Sequence, residues 1–435
     1  MAFCRLLICA FIAHSVLSSQ EGLFSTKTPY SFIENDELNV TKPHPECIVK
    51  QINMVHRHGH RYPSGGDTTK FKQLSDKINT GRVAPGLNFT LPWYSPFEMK
   101  QKSMLTRTGE KELYGIGQRI KKRFPDLLKA EYSPVTQYFM SSNKVRTIHS
   151  ANSIASGLFD GNGALGGGRI QPIAIDVSPK DPNDRLLRFY DACPKYIRNI
   201  DDKNETIIEY LKFQKGAEVQ EVKKKVEQKL NLKDLSFTNL EMIYVGCAYQ
   251  LGMFDGTLES GFCALLEKED RQVFEYASDL EKFYTESNLQ NPITYEIGCF
   301  LLKDILTTLE QVVENETESV GIFRSTHSQA VTMMFSLFGL NKQTTPLRHD
   351  NYVELLNRHF RSSIIAPFSA NFYFVLYECS GEWKIQLYWN ERLVKMPCCV
   401  SELDCGFDVF MDHYKDMADS CSETFDDLCD LPFIH

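Results

Sequence analysis

Arg57, His58 and Arg61 sit together in the run Arg57-His58-Gly59-His60-Arg61-Tyr62-Pro63. An imidazole flanked by guanidinium groups suits phosphoryl displacement. That reaction needs a nucleophile at phosphorus, positive charge on the equatorial oxygens and a proton for the leaving oxygen. A neutral imidazole can attack, and each guanidinium fork can donate two parallel hydrogen bonds to phosphate. Gly59 would let the backbone turn close to the bound group, and Pro63 would fix the exit of the loop. Two more short polar runs carry compatible groups: Ser141-Ser142-Asn143-Lys144-Val145-Arg146 and Ser325-Thr326-His327.

All three runs follow strand-like segments and precede helix-like ones. Residues 48–55, 135–140 and 320–323 are short and rich in apolar or β-branched residues, as buried strands are. Helical spacing follows in Leu113, Ile116, Ile120 and Phe124, with Thr106 or Thr108 as cap. It recurs in Ile148, Ala151, Ala155 and Leu158, and again through Met334 and Leu337. In an open α/β sheet, ligands bind beyond the carboxyl ends of the strands, where helix N-termini offer backbone donors to an anion. The three loops should therefore converge on one phosphate. Residues 372–377 and 383–389 alternate in polarity around Ser380-Gly381 and predict a hairpin. Residues 218–230 and 269–287 predict helices. Lys121-Lys122-Arg123 and Lys223-Lys224-Lys225 read as solvated helix faces.

The chain has 435 residues and a net charge of −8, with 42% hydrophobic and 24% charged residues. That excludes wholesale disorder and makes nucleic acid or an anionic membrane a poor general partner. An anionic substrate must be held by a local basic cluster. Arg5, the apolar stretch Leu6 to Val16, and Ser18-Ser19 have the pattern of a secretory leader, which is too short to span a bilayer as a stable helix. Two of the 13 cysteines, Cys4 and Cys9, would leave with it, and an odd number remains. Most should pair in an oxidising compartment, leaving at least one free or intermolecular. Sequons at Asn39, Asn88, Asn204 and Asn315 fit the same route. The C-terminal Leu431-Pro432-Phe433-Ile434-His435 is not a retrieval signal, so the expected location is extracellular. Asp404, Asp426 and Asp427 show no metal-site spacing.

The run from Arg57 to Pro63 resembles the R-H-G-x-R-x-P signature of the histidine acid phosphatase and phytase branch of the histidine phosphatases. Within that branch the chain is similar to the multiple inositol polyphosphate phosphatases. Ser142-Asn143-Lys144-Val145-Arg146 with Ser150 resembles the S-K-H-R loop. Leu186-Leu187-Arg188-Phe189-Tyr190-Asp191-Ala192-Cys193 resembles L-L-R-F-x-D-x-C. The segments 360–367, 374–379 and 413–416, with Ser420-Cys421, resemble the family's last strands and C-terminus.

The resemblance implies that His58 is the nucleophile, that Arg57, Arg61 and Arg146 clamp the transferring group, and that His327 contacts it. Lys144 would meet another phosphate of a polyanionic substrate such as an inositol polyphosphate. It further implies an α/β, phosphoglycerate-mutase-like core with a central, mostly parallel sheet. The divisions expected are a leader over 1–19, core over 45–169 and 295–400, a helical cap inserted over 170–294, and a Cys-rich tail over 401–435. No cofactor or metal is called for, because arginines supply the charge.

One element departs from the family. Acid phosphatases and most phytases of this class follow the second histidine with Asp, and inositol polyphosphate phosphatases read H-A-E. This chain reads His327-Ser328-Gln329. An amide can hydrogen-bond to a leaving oxygen but cannot practically protonate it. Losing general-acid help costs about 10²–10⁴-fold. Three outcomes follow from this: a slow inositol polyphosphate phosphatase, a protein that only sequesters phosphorylated ligands, or an acid phosphatase of broad specificity.

Overall fold

The computed structural model describes residues 24–35, 41–128, 131–254, 256–401, 404–419 and 428–429. The leader, the sequon at Asn39, and Asp426 and Asp427 lie outside them. An eight-stranded sheet forms the centre. Its strands are β1 (Ile48–Arg57), β2 (Gln137–Ser141), β3 (Asp176–Val177), β4 (Gly321–Thr326), β5 (Asn371–Cys379), β6 (Glu382–Trp389), β7 (Arg392–Val394) and β8 (Cys405–Gly406). The order is β3-β2-β4-β1-β5-β6-β7, with β8 on β6. The strands β3, β2, β4 and β1 run parallel, and β5 joins β1 antiparallel to begin an antiparallel extension. The fold is thus mixed α/β, as expected.

Helices cover both faces. On one side lie α2 (Arg107–Arg123) and α3 (Val145–Leu158). Their Leu113, Ile116, Ile120, Ile154 and Leu158 pack on Ile52, Met54, Phe323 and Val375. The opposite face is covered by α7 (Cys299–Val313), α8 (Ser328–Leu337) and α9 (Phe407–Asp419), with Val55, Phe372, Phe374 and Leu376 buried beneath, and α5 (Phe237–Met253) and α6 (Lys268–Glu286) extend the same core by packing on helices. Between α3 and α5 lies α4 (Ala217–Leu230), and α1 (Gly65–Ile78) follows the first loop. Both faces of β5 are therefore apolar. The one-sided alternation read at 372–377 is corrected: Tyr373, Val375 and Tyr377 face the α2–α3 layer while the even-numbered residues face the other. The hairpin itself forms, with Cys379 opposite Glu382. Its two turn residues, Ser380 and Gly381, take φ of 54° and 92°, the left-handed pair that a two-residue hairpin needs.

One charged triplet is misread from sequence. Lys122 is exposed, but Arg123 is buried and its Nη1 donates to Glu391 Oε1 at 2.7 Å. Arg119, one turn earlier, grips the same carboxylate. Glu391 lies at the β6–β7 turn, so the face that looks solvated in α2 clamps the far end of the sheet.

Disulfides join Cys47–Cys379, Cys193–Cys429, Cys247–Cys263 and Cys399–Cys405, and Cys299 is also bonded. Cys398 is the free thiol among the described residues. No helix among them is long and apolar enough to cross a membrane.

Candidate active site

Strand register builds the site. Arg57 on β1 lies opposite Thr326 on β4, and Ser325 lies opposite Ser141 on β2. The residues just past these rungs are His58, His327 and Ser142, so three parallel strands deliver them side by side. The His58 N–H donates to Thr326 O at 3.0 Å, and the Ser142 N–H to Ser325 O at 3.0 Å. The rings of His58 and His327 stand 5.4 Å apart at 68°. Lys144 is the N-cap of α3 and Arg146 its second residue, while His327 is the N-cap of α8. Two helix N-termini thus point at the same place.

His58 is held in one tautomer. Its Nδ1 lies 2.9 Å from Gly59 O. A carbonyl only accepts, so Nδ1 carries the proton and Nε2 keeps its lone pair. Burial, then Arg146, Arg57, His327 and Arg61, hold the imidazole well below the ordinary histidine range. It is a neutral base with a free nitrogen.

Gly59 has a different role from the one expected. A Cβ there would meet Gly109 O at 2.4 Å, and one on Gly109 would meet His60 O at 2.2 Å. The two glycines let the loop lie directly on the first turn of α2, whose N-cap is Thr106.

The arginines expected to form the clamp are anchored by distant segments. Arg57 Nη1 donates to Thr26 O at 2.6 Å and to Ala366 O at 2.8 Å, and its guanidinium lies 4.5 Å from the Phe368 ring centroid. Arg61 Nη1 donates to Tyr62 O. Arg57 Nε and Arg146 Nε are buried without a protein partner. Burial first, and Arg61 next, lower Arg57 to about 9 and Arg146 to about 10, so both remain cations at neutral pH.

His327 is hemmed in by two guanidinium donors and by Ser142 Oγ, whose own proton goes to Thr147 Oγ1. Arg146 Nη2 lies 3.2 Å from its Nδ1, Arg188 Nη1 lies 2.8 Å from its Nε2, and Ser142 Oγ lies 3.0 Å from Nε2. A neutral ring has one acceptor nitrogen and a guanidinium has none, so only one of the two arginines can bond to it. The ring is held neutral, by burial first and then by Arg146, Arg188, Arg57 and Lys144. Donors exceed acceptors at this point, which is the electrostatics of an anion site.

The structure brings together Arg57, His58, Arg146 and His327. Lys144 stands at the rim, with Nζ 2.5 Å from Asp181 Oδ2. Gln329 lies in the first turn of α8, half-buried, and its Oε1 is within 3.3 Å of Ser328 Oγ. His60 turns away from the clamp: it is buried, with Nδ1 3.0 Å from Thr106 Oγ1.

Sequence reasoning missed two cations. Arg188 reaches His327 while its Nε lies 2.7 Å from Asp181 Oδ1. The signal was present, since Arg188 belongs to the Leu186–Cys193 segment that resembles the family's L-L-R-F-x-D-x-C. Lys27 had no signal. It borders a cavity of about 240 Å³ lined also by Thr26, Asp67, Lys70, Glu241 and Lys282. Burial, with Arg61 next, lowers its amine to about 7.

Comparison with known proteins agrees with this geometry. The model of the histidine phosphatase superfamily (branch 2) matches residues 48–396. Multiple inositol polyphosphate phosphatase 1 of Gallus gallus is 26% identical over 95% of this chain and 94% of its own length. The Homo sapiens protein of the same name is 27% identical over 96% and 90%. Among solved structures, the phytase of D. castellii superposes with a TM-score of 0.74 at 17% identity, over 95% of this chain and 87% of its own. The multiple inositol polyphosphate phosphatase of Bifidobacterium longum in complex with inositol hexasulfate gives 0.68 at 18%, over 88% and 95%. With a family model covering most of its length and relatives that are phosphatases over nearly all of it, the chain belongs to the histidine phosphatase superfamily, branch 2, and is a phosphatase.

Proposed function

We propose that the protein is a secreted phosphomonoesterase that works through a phosphohistidine on polyphosphorylated small molecules, inositol polyphosphates such as phytate being the class that fits best. The observation that carries this reading is the fixed tautomer of His58, a buried neutral ring under the electrostatic influence of Arg146, Arg57 and Arg61. In the first step an Nε2–P bond forms and the ester P–O bond breaks, its electron pair leaving on the alcohol oxygen. Arg57, Arg61 and Arg146 take the charge on the equatorial oxygens, and His327 contacts them. Water then attacks phosphorus, the N–P bond breaks, and inorganic phosphate leaves with the imidazole restored. Lys144 and Arg188 supply charge beyond one phosphate, which favours a polyanion over a simple ester, whereas the cavity beside Lys27 balances its three lysines with Asp67, Glu241 and Glu281. The helices of 170–294 serve as a cap, contributing Glu241 and Lys282 to that wall.

Gln329 stands where a proton donor is needed, so the leaving oxygen must take its proton from water or from the substrate's own phosphates. That favours a second reading, in which the site binds and sequesters phosphorylated ligands with little turnover. A broad-specificity acid phosphatase is the third reading. The secretory leader, the disulfides and the sequons support export.

The test measures phosphate released from inositol hexakisphosphate and from an aryl phosphate, whose leaving group needs little protonation. Slow release from the aryl ester and slower release from the inositol ester are expected. Tight binding without turnover of either would replace this reading with the sequestering one. Rapid turnover of many simple esters, with no preference for inositol phosphates, would favour the acid phosphatase.

A further inference from the structure

Glu112, on the first turns of α2, gathers three donors from three separate segments. Its Oε1 accepts from the Tyr30 N–H at 2.9 Å. Its Oε2 accepts from the His60 N–H at 2.8 Å and from Ser369 Oγ at 2.7 Å. Each segment bears on the nucleophile loop. The strap ending at Tyr30 supplies Thr26 O to Arg57. The Ser369 N–H donates to His58 O at 3.1 Å, and neighbouring Phe368 lies against Arg57, His58 and His60.

The His60 contact matters most, because the His60 N–H and the Gly59 carbonyl are two ends of one planar peptide unit. The carbonyl end holds the His58 Nδ1–H at 2.9 Å. The amide end is held by the Glu112 carboxylate. An anionic acceptor on a peptide N–H polarises that peptide and strengthens its carbonyl as an acceptor, as in any hydrogen-bonded chain. The preceding peptide, His58–Gly59, is held in turn by Ser150 Oγ, which accepts from the Gly59 N–H at 3.0 Å.

We propose that Glu112 is a positioning residue that acts on His58 through the Gly59–His60 peptide bond, fixing the Nδ1–H tautomer and making Nε2 a better nucleophile. In many enzymes a carboxylate touches the imidazole directly to do this. Here one backbone unit stands between them. Burial pushes the Glu112 carboxyl up from its ordinary value, while its bonds from Ser369, Tyr30 and His60 oppose the shift. The catalytic part of the proposal rests on the phosphohistidine reading, whereas the tautomer part stands on geometry alone.

The full-length secreted protein serves for both tests. The first is ¹⁵N NMR of the histidine side chains, with His58 assigned from a His58→Asn spectrum. Wild type should show Nδ1 protonated and Nε2 bare. Glu112→Gln should mix the tautomers, and an unchanged His58 spectrum would overturn the proposal. The second is single-turnover kinetics on an aryl phosphate. Glu112→Gln should slow phosphorylation about 10–100-fold with KM within about threefold. Ser369→Ala, which removes another bond to the same carboxylate and leaves the relay, should stay within about threefold of wild type. Equal losses in the two variants would make Glu112 merely structural. Should Glu112→Gln fail to fold, Glu112→Asp keeps the charge with a shorter reach and should shift both readouts in the same direction. If wild type forms no phosphoenzyme from the aryl ester, the phosphohistidine reading fails, and the NMR result still decides the role of Glu112.

Discussion

The loops after β1 and β4 leave adjacent rungs of one parallel ladder, and each presents a histidine to the same space. They are held in opposite ways. His58 gives its Nδ1 proton to the backbone, so one nitrogen is committed and the other is free. His327 has donors at both nitrogens and offers no free lone pair. A histidine whose orientation comes from its own loop can be a nucleophile. One whose surroundings are other side chains' donors belongs to the binding surface. The first loop also keeps every residue of its signature, whereas the second has lost the acid that normally follows the histidine. On the proposed reading, the two halves of the site have diverged: the nucleophile and clamp residues are present, and the acid that would supply a proton is replaced by Gln329.

The sharpest way to break this comparison is to remove each histidine in turn. His58→Ala should lower turnover by on the order of 10⁴-fold or more, with no trapped phosphoenzyme, because no other group can form the bond. Equal labelling in the variant would show that His58 is not the nucleophile. Next in size is restoring the second loop. Gln329→Glu should raise the rate on inositol hexakisphosphate by about 10²-fold or more and raise the aryl phosphate rate much less. A flat response would sink the missing-acid argument. His327→Ala should cost about 10²–10³-fold, the loss typical of one transition-state contact, and should leave a trappable phosphohistidine. A loss as large as that of His58→Ala would erase the distinction between the loops.

The smallest effect concerns acid stability. His56 and His60 flank the nucleophile, and burial lowers them to about 4 and about 3. As pH falls below about 6.5, the unfolded chain binds protons at these positions and the folded chain does not, so stability falls with pH across that window. His60→Gln removes one such group and should flatten the slope by up to about 1.4 kcal/mol per pH unit between about 3 and 6.5. Urea unfolding at pH 7 and pH 5 would measure it, and an unchanged slope would mean that His60 is protonated in the fold.

Much of this architecture was legible beforehand. The strands at 48–55 and 320–323, the helices that follow them and the hairpin at Ser380-Gly381 announce themselves by period and turn chemistry, which are local. The cluster Arg57, His58 and Arg61 was legible for the same reason, since its members are neighbours in the chain. The failures are all long-range. Arg123 sits in a basic triplet and looks solvated until Glu391 folds over it. Gly59 looks like a turn residue until α2 packs on it. Nothing near Lys27 in the chain places it beside Arg57 and Arg61.

Taken alone, the amino-acid order determined which chemical groups the protein owns, which of them are covalent neighbours, and that Gln329 has no acidic proton to transfer. Only the tertiary structure decided which nitrogen of His58 is free, which cations face His327, and that Glu112 reaches the nucleophile loop. The reason is physical. Periodicity and spacing are properties of a few consecutive residues, whereas tautomers and pKa values depend on whatever the fold brings within a few ångströms, from any distance along the chain.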